Sequence, residues 1–201
     1  MALVVLAALV IAGYIGFKAI KTITYPDLKL DTPPAGYQQV VEEQFEEIKK
    51  QFESTEEGGS LDAFYMVADG SEQIFIAHLS ADGITLISFG GSDDPPETED
   101  LSEMEDYVNR NRAMLQEELE REYSTASLDA ETLVIEAVRL EKDGYCGIHV
   151  GANVPLGEEA LLQDRILFFK DGITYVAAVQ NVSGASNADK VQYLLQNLYF
   201  E

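Results

Sequence analysis

Three side chains in this sequence have the chemistry of nucleophiles or metal ligands: His78, Cys146 and His149. Structural zinc usually takes four ligands, and one cysteine with two histidines falls short of that. Cys146 and His149 stand three apart in a stretch read as a strand, where they point to opposite faces. They cannot chelate one ion or form a Cys–His nucleophile pair without distortion, so they read as a core cysteine and partly buried histidines. No G-x-S-x-G elbow, GxxxxGKS/T loop, HExxH or GxGxxG motif occurs. Gly90-Gly91-Ser92 ends a strand-like run and is followed by acids that would repel a phosphate, so it reads as a turn. No catalytic residue, metal site or cofactor is assigned, and a non-enzymatic protein is expected.

Acids supply the one concentrated feature. Between Lys50 and Arg110 there is no lysine or arginine, but fifteen Asp or Glu residues. Eight of them crowd into one stretch: Asp93, Asp94, Glu97, Glu99, Asp100, Glu103, Glu105 and Asp106. Part of this density suits the start of a helix, whose dipole favours negative charge. Dense single-sign charge also steers association, so the stretch is expected to dock on a basic protein surface. Calcium is disfavoured, because the D-x-D/N-x-D/N-G loop is missing and Pro95-Pro96 stiffens the segment. A hydrolase built on paired carboxylates needs one acid in apolar surroundings, and nothing in the sequence marks one.

The whole chain shares this charge. Its 201 residues carry a formal charge of −23, which argues against nucleic acid, since phosphates would be repelled. With 46% hydrophobic residues the chain is globular, and a lone cysteine excludes an internal disulfide framework.

The N-terminus sets the expected location. Residues 2–17, ALVVLAALVIAGYIGF, are uncharged, and as a helix would span about 24 Å. Extension through Ile20, with Lys18 and Lys21 snorkelling, approaches the ~30 Å hydrocarbon core. A cleaved signal would begin with a positive region, and here the apolar run follows Met1 directly. The sequence thus predicts a single-pass transmembrane anchor over 1–21, contacting the lipid bilayer. Lys18, Lys21 and Lys29 place the following domain in the cytoplasm and the N-terminus outside. Ala8, Ala12 and Gly16 share one helical face, a small-residue stripe suited to packing against integral membrane proteins of a complex.

Beyond it, Tyr25-Pro26 and Thr32-Pro33-Pro34-Ala35-Gly36 predict a linker over 22–36, and 37–201 forms the acidic domain. Val41, Phe45, Ile48 and Phe52 mark one helix. Ser102 and Glu105 form a capping box for a second, running to about Tyr123 and burying Leu101, Met104, Val108, Leu115 and Leu119. A third starts at Ser186, and its apolar spacing continues to the end of the chain. Four Asp-Gly pairs, at 69, 82, 143 and 171, predict tight hairpins. They join runs at 63–68, 73–79 and 84–89, then 133–140 with 146–150, and 166–169 with 174–179. The fold class is therefore α+β: about seven strands of antiparallel sheet covered by helices, after the single N-terminal transmembrane helix. The aromatic residues fall on strands and are read as core.

The segment Arg165–Val176, RILFFKDGITYV, followed by a further strand and a terminal helix, resembles the closing unit of Mog1/PsbP/DcrB-like domains. The resemblance covers about residues 130–200. It implies a small α/β/α sandwich serving as an accessory or binding module, with no shared catalytic residues to carry over. Together these features predict a membrane-anchored accessory subunit of a larger membrane protein complex. The alternative is a membrane-tethered domain holding a small apolar ligand between sheet and helix.

Overall fold

The computed structural model describes residues 26–55, 59–80, 95–122, 133–156, 159–182 and 184–201. In chain order these form β1 (Leu28–Leu30), β2 (Gln38–Gln39), α1 (Glu42–Thr55), β3 (Gly59–Met66), β4 (Glu72–Ser80), α2 (Leu101–Glu122), β5 (Val134–Arg139), β6 (Cys146–Leu156), β7 (Glu159–Lys170), β8 (Ile173–Asn181), α3 (Ala188–Asn197) and β9 (Leu198–Phe200). Seven strands make one antiparallel sheet in the order β2-β3-β4-β8-β7-β6-β5, and β1 pairs with β9 in a separate ribbon. The expected α+β sheet of about seven strands is present.

Residue alternation explains the layers. From β4, Phe75, Ala77 and Leu79 pack with Phe52 of α1 and Met104, Leu115 and Leu119 of α2. Ile74 and Ile76, from the same strand, face the other way and join Val191, Leu194 and Leu195 of α3. A central strand covered on both faces needs apolar residues at nearly every position. The central β8, ITYVAAVQN, has that character, whereas the edge strand β5 alternates between exposed and buried positions.

Local signals account for most turns and caps. Asp171 and Gly172 both take positive φ, 54° and 72°, as the two-residue loop between β7 and β8 requires. The Asp69-Gly70 and Asp143-Gly144 turns join β3 to β4 and β5 to β6. The run 84–89, with Asp82-Gly83, lies outside the described residues; the second neighbour of β4 is β8. The cap of α2 lies two residues before Ser102: Asp100 Oδ1 accepts from the Ser102 amide at 2.9 Å, and the Thr98 hydroxyl donates to Glu103. Val41 precedes α1 and is 69% exposed, so the apolar stripe begins at Phe45.

Both ends of the domain differ from expectation. The stretch expected as linker holds β1, and the terminal helix stops at Asn197. Leu198 turns to an extended conformation, so that Phe200 lies edge-on to Tyr145, Phe168 and Tyr175. Edge-on packing of that ring and pairing with β1 take the place of a further helical turn.

The membrane reading is corrected. Among the described residues no helix is long and apolar enough to cross a membrane. The longest, α2, carries Glu103, Glu105, Asp106, Arg110 and Arg112 among its first twelve residues, and its apolar residues form one stripe. The segment that carried the expectation, with Ala8, Ala12 and Gly16, lies outside the described residues. The transmembrane helix in the fold class, the single-pass topology, and the membrane location with its cytoplasmic lean are withdrawn with it.

Strand β6 approaches β7 closely at Gly147. A Cβ there would stand 2.4 Å from the Leu167 carbonyl oxygen and 2.6 Å from the Phe168 ring. Neither backbone nor a buried ring gives way cheaply, so Gly147→Ala is expected to cost about 1–3 kcal/mol. Urea denaturation followed by circular dichroism measures this; an unchanged midpoint would refute the close approach.

Candidate functional site

Pairing of β5, β6 and β7 brings a histidine between two carboxylates. Glu136 lies directly opposite His149 in the β5–β6 register. Asp164 lies opposite Gly151, which makes it the diagonal neighbour of His149. His149 Nδ1 is 2.8 Å from Glu136 Oε1, and its Nε2 is 2.7 Å from Asp164 Oδ1. Gly151 makes room for this, since a Cβ there would fall 2.6 Å from Asp164 Oδ1.

The site reaches the third layer through amides. Asn187, immediately before α3, donates from Nδ2 to Asp164 Oδ2 at 2.8 Å and to the Leu162 carbonyl at 3.2 Å. Its Oδ1 accepts from Asn181 Nδ2 at 2.9 Å. Its side chain is thus spent on the sheet, while its carbonyl accepts from the Val191 amide to begin the helix.

Burial is graded across the cluster: the side chains are 8% exposed for His149, 18% for Asp164 and 58% for Glu136. Two ionised carboxylates offer only acceptors, so holding both contacts at once calls for two ring donors, which only the imidazolium form supplies. Burial pulls its pKa down, but the hydrogen bonds to Asp164 and Glu136 outweigh that and leave it raised. With both nitrogens committed, the ring has no lone pair for general-base chemistry or metal ligation in this arrangement. Among the described residues no group of three or more His, Cys, Asp or Glu is placed to hold a metal.

The other two chemical side chains stand apart from it. Cys146 points to the opposite face of β6, into the α1–α2 layer, and burial raises its pKa. That disfavours the thiolate a nucleophile needs. His78 Nδ1 sits 2.9 Å from both oxygens of Asp62, and that hydrogen bond raises its pKa against the cost of burial.

The acidic stretch gathers at one end of the sheet. Asp93 and Asp94 lie outside the described residues. Glu97 accepts from the Gly172 amide in the β7–β8 turn at 3.2 Å, and the Thr98 carbonyl accepts from the Cys146 amide at 2.9 Å. These contacts bring Glu97 beside Asp171 in the β7–β8 turn, and Glu99 and Asp100 near Cys146, three residues past Asp143 of the β5–β6 turn. Tyr145 lies among them, its pKa raised by burial first and then by Glu97, Asp171 and Asp143. Glu103, Glu105 and Asp106 continue the exposed surface along the first turns of α2. Among the described residues, none of these acids is ion-paired to a lysine or arginine.

Sequence reasoning found the contiguous acids and the buried histidine but missed their partners. Glu136 was legible as an outward residue of an alternating strand, and Asn187 as a capping residue before α3. Asp164 lies in Gln163-Asp164-Arg165, a polar triplet inside an apolar run. In the sequence Asp143 and Asp171 read as turn formers.

An open groove of about 560 Å³ runs between the β3–β4 turn and α3, lined in part by Tyr37, Val67, Asp69, Glu72, Lys190 and Tyr193. The Tyr37 hydroxyl donates to Glu72 Oε2 at 2.7 Å, and the Lys190 ammonium lies 3.4 Å from the same oxygen. The chain matches no protein-family model, and no curated protein matches it.

Proposed function

We propose that the chain is a non-enzymatic accessory module that docks through the acidic end of its sheet on a basic surface of a partner protein. The observation that carries this is the convergence around Tyr145: Glu97, Asp143 and Asp171, far apart in sequence, gather there, and although the Lys170 ammonium lies over the Tyr145 ring at 5.0 Å, no lysine or arginine is paired to these acids among the described residues. Such a field raises the association rate with a basic partner and disfavours nucleic acid. The resemblance of residues 130–200 to accessory domains leans the same way. The ligand-binding alternative calls for an enclosed apolar pocket, and the groove beside α3 is open and rimmed by charge.

The test is capture of partners by the immobilised full chain at low salt, with mass spectrometry, against a variant carrying Glu99→Gln, Glu105→Gln, Asp106→Asn and Asp171→Asn. The variant spares Asp100 and Glu97, whose carboxylates accept from the Ser102 and Gly172 amides, and among the described residues the four side chains it changes hold no such bond. Association with a stoichiometric partner of basic surface is expected to slow about tenfold or more in the variant and in high salt. Equal capture by both proteins, or a partner lacking a basic surface, would overturn the reading.

A further inference from the structure

We propose that His149 is a proton-operated latch for the edge strand β5, holding it through Glu136 and letting it loosen when the ring loses its proton. The geometry makes the latch specific to that strand. β5 is an edge strand: among the described residues its one partner in the sheet is β6, and α2 packs on its other face. A neutral imidazole carries one N–H and can donate to only one of its two carboxylates. Asp164 is largely shielded and held by Asn187, whereas Glu136 is more than half exposed and easily solvated. The remaining proton therefore stays on Nε2 toward Asp164, and Glu136 is released. Detaching β5 also carries Glu136 away from the imidazolium, so opening of this strand and loss of the ring proton favour each other.

Other charges around the ring do not take over the role. On β5, Arg139 bonds through Nε to the Gly144 carbonyl at the far end of the hairpin. On β7, Arg165 points to the opposite face of the sheet from Asp164, being one residue along the strand. At the start of α3, Asp189 is exposed and the Lys190 ammonium lies against Glu72. Glu136 and Asp164 are the two charges in hydrogen-bond contact.

The direction of the effect follows from the raised proton affinity of the ring. The latch is fully closed below the ordinary histidine value of 6.5 and opens as the pH rises through the higher value of the folded protein. Glu136 contributes about tenfold in the opening equilibrium of β5 for each unit by which it raises that value.

The test uses the full chain with His78→Gln, so that one histidine remains to titrate. Ring nitrogen shifts of His149 and hydrogen exchange of β5 and β8 amides, corrected for intrinsic rates, are followed against pH by NMR. The expected result is a ring midpoint above 6.5, with protection of β5 amides falling at the same midpoint while β8 stays protected. Adding Glu136→Gln should lower the ring midpoint and flatten the β5 profile. Protection of β5 that ignores the ring titration would overturn the proposal. So would a parallel loss in β5 and β8, which is global destabilisation, or a ring midpoint indifferent to Glu136→Gln. If His78→Gln fails to fold, the wild-type chain and Glu136→Gln alone give the same comparison from two resolved ring signals.

Discussion

Phe168→Ala is expected to lower the free energy of unfolding by about 3–5 kcal/mol, the upper range for large-to-small changes in a core. The side chain is fully buried on β7, with Phe200 at its edge, 5.9 Å between centroids, and the Gly147 backbone pressed against its ring. Strands on either side of β7 are fixed by continuous ladders, and such walls collapse poorly around a void. The cost therefore combines lost burial with a cavity that stays open. Phe168→Leu keeps most of the volume and should cost less than half as much. Equilibrium urea unfolding reads both variants, and an alanine cost under about 1 kcal/mol would contradict the packing described.

Asp164→Ala should be comparably severe, about 3–5 kcal/mol, for an electrostatic reason. The carboxylate serves His149 through one oxygen and Asn187 through the other, and both partners are buried. Removing it leaves an imidazolium short of one counter-charge and an amide donor short of one acceptor. Asp164→Asn keeps the shape and an acceptor for Asn187 while removing the charge, so it should recover part of the loss. The stability gap between wild type and Asp164→Ala should be widest below pH 6.5, where the ring is charged in both states, and narrow as the pH rises. Denaturation at about pH 6 and about pH 8 checks the sign; a gap that widens with pH would contradict the imidazolium assignment.

What the sequence discloses and what it hides divide along one line, local pattern against sheet register. Asp-Gly pairs between apolar runs locate three hairpins, because the turn chemistry lies in the two residues themselves. The stripes of α1 and α2 are equally local, apart from a cap misplaced by two residues. β6 and β7 extend well past the apolar runs that announce them, to Leu156 and back to Glu159. Gly151, Asn153, Gln163, Asp164 and Arg165 interrupt the apolar pattern there, and these positions include the glycine and the acid that build the histidine site. The polarity that makes the site therefore conceals the strands that hold it.

Distance in sequence hides the rest. Glu136 and Asp164 flank His149 from 13 and 15 residues away, and only the pairing of three strands closes those gaps. The run Glu97–Asp106 is visible at once as charge, yet Asp143 and Asp171 join it only when the hairpin turns reach the same end of the sheet. Likewise, nothing near Leu198 announces a strand, because its partner is Leu30, at the other end of the domain. The strong local signal in the apolar N-terminal run was also the one that led the location astray.

The β1–β9 ribbon has a mechanical consequence. Asp27 and Glu201 exchange two backbone hydrogen bonds, and the register behind them runs for three residue pairs. Tension applied between these two residues reaches the ribbon before the sheet. Because antiparallel ladder bonds lie across the strands, such a pull peels them one at a time from the outer end. As the peel begins Phe200 is drawn out of its aromatic seat, and the hydrogen bond from its amide to Asp143 in the β5–β6 turn goes with it. The domain is thus built with a tear strip, a short element that yields first and leaves the ladders around the histidine site paired while it does.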